Sequence, residues 1–318
     1  MKKTDKSHNA SFDNASALVE MATKSTAQEF LQLVTQTKEI LAKEKGKPGK
    51  LTIKGKLAKV IPAGEVIIVG DLHGDITSLQ HILEETGFLG KLKTDYYLLI
   101  FLGDYGDRGE QSPEVYYIIM KLKSMFPEHI LLMRGNHEGP LDLLALPHDL
   151  PIHLKNKFGN RGSEIYDKLR TLFNYFYTGV IIPERYILLH GGVPSKARSI
   201  NDIAYAHEMH PREPHLEEIL WNDPLNNLKG TIASPRGAGK LFGQDITDKF
   251  LKMLNVDVLI RGHQSCPDGY KTDHNQKVLT LFSRKGNPYN NNTGAYLHFN
   301  SLSEMKNHKE LIQSIHRF

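Results

Sequence analysis

The chain has almost no thiol chemistry: Cys266 is its single cysteine. That excludes an internal disulfide framework and any cysteine-cage metal site. Long apolar runs are missing too, and none approaches the roughly 20 residues of a membrane span. The chain starts Met-Lys-Lys and continues with polar residues, so it lacks the apolar segment of a secretory signal. These absences predict a reduced, cytoplasmic protein with no membrane partner. Glycine and proline are not in excess, at 26 and 15 of 318 residues, which excludes collagen-like or low-complexity chains. With 40% hydrophobic residues the chain can bury a core, as one large domain or two small ones.

The net charge of +4 is unevenly spread. Residues 1–59 carry twelve lysines, no arginine and six acidic groups, whereas residues 60–318 carry 28 basic and 30 acidic groups. The basic excess is therefore a leader, not a basic body. A duplex-binding protein spreads lysine and arginine over a face with a reading element, so no nucleic-acid partner is expected. Residues 1–50 are read as a basic N-terminal leader, a solvated arm on which a regulatory partner could act. Its first 24 residues are polar and predict disorder. Thr26 and Glu29 then fit a capping box, and Phe30, Leu33, Val34, Ile40 and Leu41 form a helical stripe that ends at Gly46-Lys47-Pro48-Gly49.

From residue 51 onward a pattern recurs. Five short apolar runs begin near Val66, Tyr97, Ile130, Tyr186 and Val256, and each leads into a polar turn that contains glycine. The turns are Gly70-Asp71-Leu72-His73-Gly74, Gly103-Asp104-Tyr105-Gly106-Asp107-Arg108-Gly109, Arg134-Gly135-Asn136-His137-Glu138, His190-Gly191-Gly192 and Arg261-Gly262-His263. Continuous apolar runs alternating with helices indicate an α/β protein whose strands are buried on both faces. Sites in such sheets lie beyond the carboxyl ends of the strands. A single Asp-Gly pair is an ordinary turn former, but five runs obeying one rule are not explained that way. The polar residues collected there are Asp71, His73, Asp104, Asn136, His190 and His263. Carboxylate, amide and imidazole donors without thiolate suit Mn²⁺, Fe²⁺ or Zn²⁺. Asp104 could bridge two ions with its two oxygens, and a two-metal site clamps the oxygens of an in-line displacement.

The first three motifs, in this order and spacing, resemble the signature of the phosphoprotein phosphatase family, a branch of the calcineurin-like metallophosphatases. His190-Gly191-Gly192-Val193-Pro194, Trp221-Asn222-Asp223-Pro224 and Arg261-Gly262-His263-Gln264 extend the match. The resemblance covers residues 51–300, leaving outside it the leader and a C-terminal tail, 301–318, in which Leu311, Ile312 and Ile315 stand at helical spacing. It implies a four-layer fold of two central β-sheets flanked by helices. It also implies that Asp71 and His73 hold one metal, that Asp104 bridges, and that Asn136, His190 and His263 hold the other. His137 becomes the general acid and Asp107 its orienting carboxylate. Arg108 and Arg236 grip the phosphate, with Asn136 beside them. The implied reaction is hydrolysis of phosphoserine and phosphothreonine monoesters on phosphoprotein substrates. In it a hydroxide held by two divalent metals, Mn²⁺ or else Fe or Zn, attacks phosphorus in line.

The chain departs from the family late in the sequence. The usual Ser-Ala-Pro-Asn-Tyr-Cys loop is replaced by Phe282-Ser283 followed by Arg284-Lys285-Gly286-Asn287-Pro288-Tyr289. Tyr289 can stand for the family tyrosine, and Arg284 and Lys285 read as solvated loop charges. The segment Pro147-His148-Asp149-Leu150-Pro151 also differs from the eukaryotic pattern, which places the chain nearer prokaryotic or archaeal members. Two other functions compete: a dinucleoside polyphosphate hydrolase of the same superfamily, and an inactive metal-binding scaffold. Glu138 favours the protein phosphatase over the first, and the complete ligand set argues against the second.

Overall fold

All five apolar runs become strands, but they divide between two sheets. The structure is a computed structural model that describes residues 14–92, 96–303 and 308–318. Glu65–Val69, Tyr97–Phe101 and Ile130–Leu132 lie side by side and parallel. They belong to a five-stranded sheet completed by Ala295–Asn300 and Ile315–Arg317. Tyr186–Leu188 and Val258–Arg261 belong to a seven-stranded sheet. Its order is Leu51–Lys54, Leu57–Val60, Gly179–Ile182, Tyr186–Leu188, Val258–Arg261, Val278–Leu281 and Tyr270–Asp273. A small third sheet joins Asp223–Pro224, Lys240–Phe242 and Thr231–Ala233. The central strands are buried throughout, as continuous Val, Ile and Leu runs require when both faces are covered.

The two large sheets meet where their strands end. Asp71 pairs in parallel with Phe282, and Met133 with Tyr177. Gly70 N–H donates to the Ser283 hydroxyl at 2.8 Å, which in turn donates to the Ala295 carbonyl at 2.7 Å. A Cβ at Gly70 would strike the Leu281 carbonyl, so only glycine lets the sheets approach this closely here. The convergence puts the carboxyl ends of strands from both sheets around one point.

The N-terminal segment is more structured than its polar composition predicts. A helix, Ala15–Lys24, is capped by the Asn14 side chain and buries Leu18 and Ala22. Residues 1–13, also expected to be disordered, lie outside the described residues. The next helix, Ala27–Lys43, has the capping box expected of Thr26 and Glu29 and buries Phe30, Leu33, Val34 and Leu41. It packs on the helices Ser112–Met125 and Gly162–Phe173. The chain's last residues are also absorbed. Ile315, expected on a helical stripe with Leu311 and Ile312, instead pairs with Leu297 in the five-stranded sheet. Among the described residues no helix is long and apolar enough to cross a membrane.

Candidate metal centre

The turns that follow the five strands bring all six expected metal ligands into one buried cluster. Asp71, His73, Asp104, Asn136, His190 and His263 are each at least nine-tenths buried. Asp104 sits at the centre. Its Oδ2 is 3.5 Å from His73 Nε2, and its Oδ1 is 3.4 Å from His190 Nε2. Asp71 Oδ2 stands 3.8 Å from His73 Nε2. Two sets of donor atoms, His73–Asp104–His137 and Asp104–His190–His263, are each compact enough, within 4.8 Å, to surround an ion. Asp104 is common to both.

The backbone around these donors is unusual. His73, Asp104, Asp107, Arg108 and His263 all have left-handed φ, between 42° and 70°. Non-glycine residues hold this conformation only when their surroundings over-determine it, at about 1–3 kcal/mol each. Here the surroundings are the site's own oxygens. The N–H of His73 donates to the Asp104 carbonyl at 2.9 Å, and that of Asp104 to Glu138 Oε2 at 2.9 Å. Arg108 N–H donates to Asp149 Oδ1 at 2.8 Å, and His263 N–H to Asp71 Oδ1 at 3.0 Å. The strained turns and the carboxylates therefore hold each other in place.

The donor chemistry fits divalent ions. His73 Nδ1–H is spent on the Gly106 carbonyl at 2.9 Å and His190 Nδ1–H on the Leu102 carbonyl at 2.9 Å. Both rings therefore present an Nε2 lone pair to Asp104, the arrangement that orients a metal-binding imidazole. Asn136 Oδ1 lies 3.0 Å from His190 Nε2 and 3.0 Å from His263 Nδ1. A cation between them would take both the Asn136 oxygen and the His190 lone pair as donors, in place of the proton that His190 otherwise carries. Turning the amide would satisfy the same atoms without an ion, its nitrogen then donating to Asp104 Oδ2 at 2.9 Å. Titration tells the same story. Burial, then the nearby Asp104 charge, pushes Asp71 up to about 7. Burial pulls His73 down to about 3. Burial would raise Asp104 also, but His190 and His137 outweigh it and hold that carboxyl well below its usual range. His190 rises to about 9, burial being outweighed by Asp104, so without an ion its Nε2 carries a proton that a bound metal would displace. Packed carboxylates and lone pairs of this kind are relieved by bound cations.

Next to the cluster, His137 Nδ1 meets Asp107 Oδ2 at 2.6 Å, and its Nε2 is buried with no protein partner. Arg108 reaches back over the site. Its Nη1 bonds the Tyr289 hydroxyl and lies 3.5 Å from His73 Nε2. The Tyr289 ring stacks on His73, with centroids 5.5 Å apart. Arg236 is anchored through Nε to Asp223 Oδ2 at 2.6 Å, and the other Asp223 oxygen takes Arg261 at 2.9 Å. The structure thus gathers Arg108 and Tyr289 directly with the ligands, and ties Arg236 to them through Asp223, whose Oδ1 is 4.0 Å from His263 Nε2.

Sequence comparison matches residues 64–267 to the model of the family described as calcineurin-like phosphoesterase. The chain belongs to this family. It is 35% identical over 220 residues to a protein phosphatase 2A catalytic subunit of Dictyostelium discoideum, covering 69% of this chain and 68% of that one. It is 33% identical over 242 residues to a probable serine/threonine-protein phosphatase of Encephalitozoon cuniculi, covering 75% of this chain but only 50% of the relative. Among solved structures, a serine/threonine phosphatase from Saccharomyces cerevisiae superposes with a TM-score of 0.71 at 23% identity. The match covers 92% of this chain and 89% of that one. That likeness establishes the metallophosphatase fold. Both sequence relatives are eukaryotic, so they lend nothing to the expected nearness to prokaryotic members.

Several residues of this cluster carried no assigned role in the sequence. Glu138, wholly buried, accepts from the N–H groups of Asp104, Tyr105 and Gly135 and from the Tyr116 hydroxyl. Its place directly after His137 was the available signal. Asp223, legible only as part of Trp-Asn-Asp-Pro, organises Arg236 and Arg261. Arg284 corrects the expectation of a solvated charge: its side chain is buried and donates to the His73 and Asn287 carbonyls. Neighbouring Lys285 is exposed, as expected. His148 has no counterpart in any motif, yet it donates to Asp107.

Proposed function

We propose that this chain is a metal-dependent protein-serine/threonine phosphatase acting on phosphoprotein substrates. The observation that carries the reading is the placement of Asp104. Its two oxygens lie 3.5 Å from His73 Nε2 and 3.4 Å from His190 Nε2, and the His137–Asp107 pair and the Arg108 fork lie beside it. In this reading Asp71, His73 and Asp104 hold one divalent ion, and Asp104, Asn136, His190 and His263 hold a second. Two such ions supply charge neutralisation and a water acidic enough to be deprotonated near neutral pH.

The chain's own residues do the rest. Arg108 and Arg236 offer planar forks that match phosphate oxygens, which a lysine would not. Arg236 keeps its terminal nitrogens for this purpose, because Asp223 takes only Nε. Tyr289 holds Arg108 and packs over His73, so the phosphate approaches along the Arg108–Tyr289 edge. Water oxygen forms the new bond to phosphorus while the bond to the seryl or threonyl oxygen breaks. The proton for that oxygen comes from His137 Nε2, which has no other partner. Asp107 keeps the proton on His137 Nδ1 and the ring in line. A positioned acid of this kind contributes about 10²–10⁴-fold where the leaving group is an alkoxide.

The competing reading, a dinucleoside polyphosphate hydrolase, uses the same ligands. The relatives' names favour the protein phosphatase, because both are described as phosphatases of this type. The deciding experiment measures kcat/KM with Mn²⁺ on a phosphothreonine peptide and on a dinucleoside tetraphosphate, with Asp104→Asn as control. Preference for the peptide, abolished in the control, supports the proposal; preference for the nucleotide overturns the substrate class.

A further inference from the structure

We propose that His148, backed by Tyr166, is a positioning residue for the general acid. The inference rests on the roles given above to His137 and Asp107. It comes from a segment, Pro147 to Pro151, in which the chain departs from its family's pattern.

Asp107 is the focus of four hydrogen bonds. Oδ1 accepts the N–H groups of Asp149 at 3.0 Å and Leu150 at 2.7 Å. Oδ2 accepts His137 Nδ1 at 2.6 Å and His148 Nδ1 at 2.8 Å. One carboxylate oxygen is therefore shared by two imidazoles. A carboxylate only accepts, so both Nδ1 atoms carry hydrogen. His148 Nε2 is hydrogen-bonded to the Tyr166 hydroxyl at 2.8 Å. Tyr166, His148 and Asp107 thus form one continuous hydrogen-bonded chain. Tyr166 stands on the helix Gly162–Phe173, whose Ile165 and Leu169 are buried in the core, so the far end of the chain is rigidly based.

The same turn also holds the phosphate-binding residue. Asp149 Oδ1 accepts the N–H of Arg108, whose φ is +66°. His148, Asp149 and Leu150 thus clamp the Asp107-Arg108 turn from outside. Without His148, the Asp107 carboxylate is free to rotate about its Oδ1 anchors. His137 then loses alignment with the departing oxygen, although both remain present. Misplacing a catalytic group by about 1 Å costs about 10²-fold.

The test compares two leaving groups on the Mn²⁺-loaded enzyme. A phosphoserine peptide releases an alkoxide that needs the proton of His137; p-nitrophenyl phosphate releases a phenolate that does not. His148→Ala is expected to lower kcat on the peptide roughly tenfold or more, with KM and bound metal unchanged, and to leave kcat on p-nitrophenyl phosphate within about threefold. His148→Asn keeps a donor near the Nδ1 position and restores most of the loss. Tyr166→Phe gives a smaller loss in the same direction, and decides the question if His148→Ala does not fold. An equal fall on both substrates, a change confined to KM, or no change would overturn the inference. A wild-type enzyme inactive on the phosphoserine peptide would overturn the proposed function instead.

Discussion

Lys123 is wholly buried, and its ammonium meets the carboxylate of Glu44 at 2.5 Å. The other Glu44 oxygen accepts the Tyr177 hydroxyl at 2.5 Å. Glu44 ends the second N-terminal helix, Lys123 lies on Ser112–Met125, and Tyr177 bridges to the end of the strand Ile130–Leu132. The lysine's remaining bonds go to the Pro127 and Ile130 carbonyls. One ion pair thus ties the N-terminal helices to the strand that delivers Asn136 and His137.

Removing one partner of such a pair leaves a buried charge uncompensated. Glu44→Ala is expected to lower unfolding free energy by about 3–5 kcal/mol. Urea denaturation reads this directly, and kcat/KM of the folded fraction should not change. A chain starting at residue 51 would uncover the apolar surface now sealed by Leu18, Phe30, Leu33 and Val34, and is expected to be insoluble. A soluble, active truncation would show that the helices are an accessory.

Gly135 lies against the bridging ligand. A Cβ there would strike the Asp104 carboxylate and backbone and come within 2.7 Å of Glu138 Oε2. Gly135→Ala is therefore expected to displace Asp104 and reduce metal affinity by about 10–100-fold, the range seen when the support of a ligand is lost. Metal titration followed by calorimetry checks this, and unchanged affinity would mean that the turn relaxes around the methyl.

Arg108 makes contacts that depend on a fork. Arg108→Lys keeps the charge but cannot bond Tyr289, Leu146 and a phosphate together. A loss of about 10²-fold in kcat/KM is expected, comparable to removing one preorganised donor from a transition state. Tyr289→Phe, which deletes only the hydroxyl, should cost about tenfold, the low end of what one hydrogen bond to a charged group contributes. Steady-state kinetics on the phosphopeptide compare the two.

Chelation provides a separate check on the cluster. Stripping divalent ions is expected to abolish hydrolysis and lower the melting temperature. Mn²⁺ at 100 times its dissociation constant should return about 2.7 kcal/mol of stability. Asp104→Asn should show neither the loss nor the gain. A melting temperature indifferent to both chelator and Mn²⁺ would argue against a metal centre.

Much of the site is legible in the chain because its pieces are local. Each ligand lies just beyond an apolar run, and a run long enough to cross a sheet announces where its end must be. Glycine beside each ligand marks the tight turns. The helix at Thr26 is legible because a capping box is a contact between residues three apart. The helix Ala15–Lys24 is not: it is short and polar, and buries Leu18 and Ala22 only because a docking surface exists. Arg284 is hidden for a similar reason, since a charged loop residue looks solvated until the His73 carbonyl is found beside it.

The sequence by itself determined the order of the strands' polar ends, the candidate donors at them and the family, because these depend on residue type and short spacing. The tertiary structure alone decided that the five strands belong to two sheets and that those sheets meet at their strand ends, at Gly70. It also decided that the Asp107 carboxylate is shared by His137 and His148. Asp107 and His148 are 41 positions apart, and Tyr166 is a further 18 away. No periodicity links residues that far apart along the chain. Their contact follows from packing of a helix and a loop against the turn that follows the strand Tyr97–Phe101, where buried polar atoms must find partners.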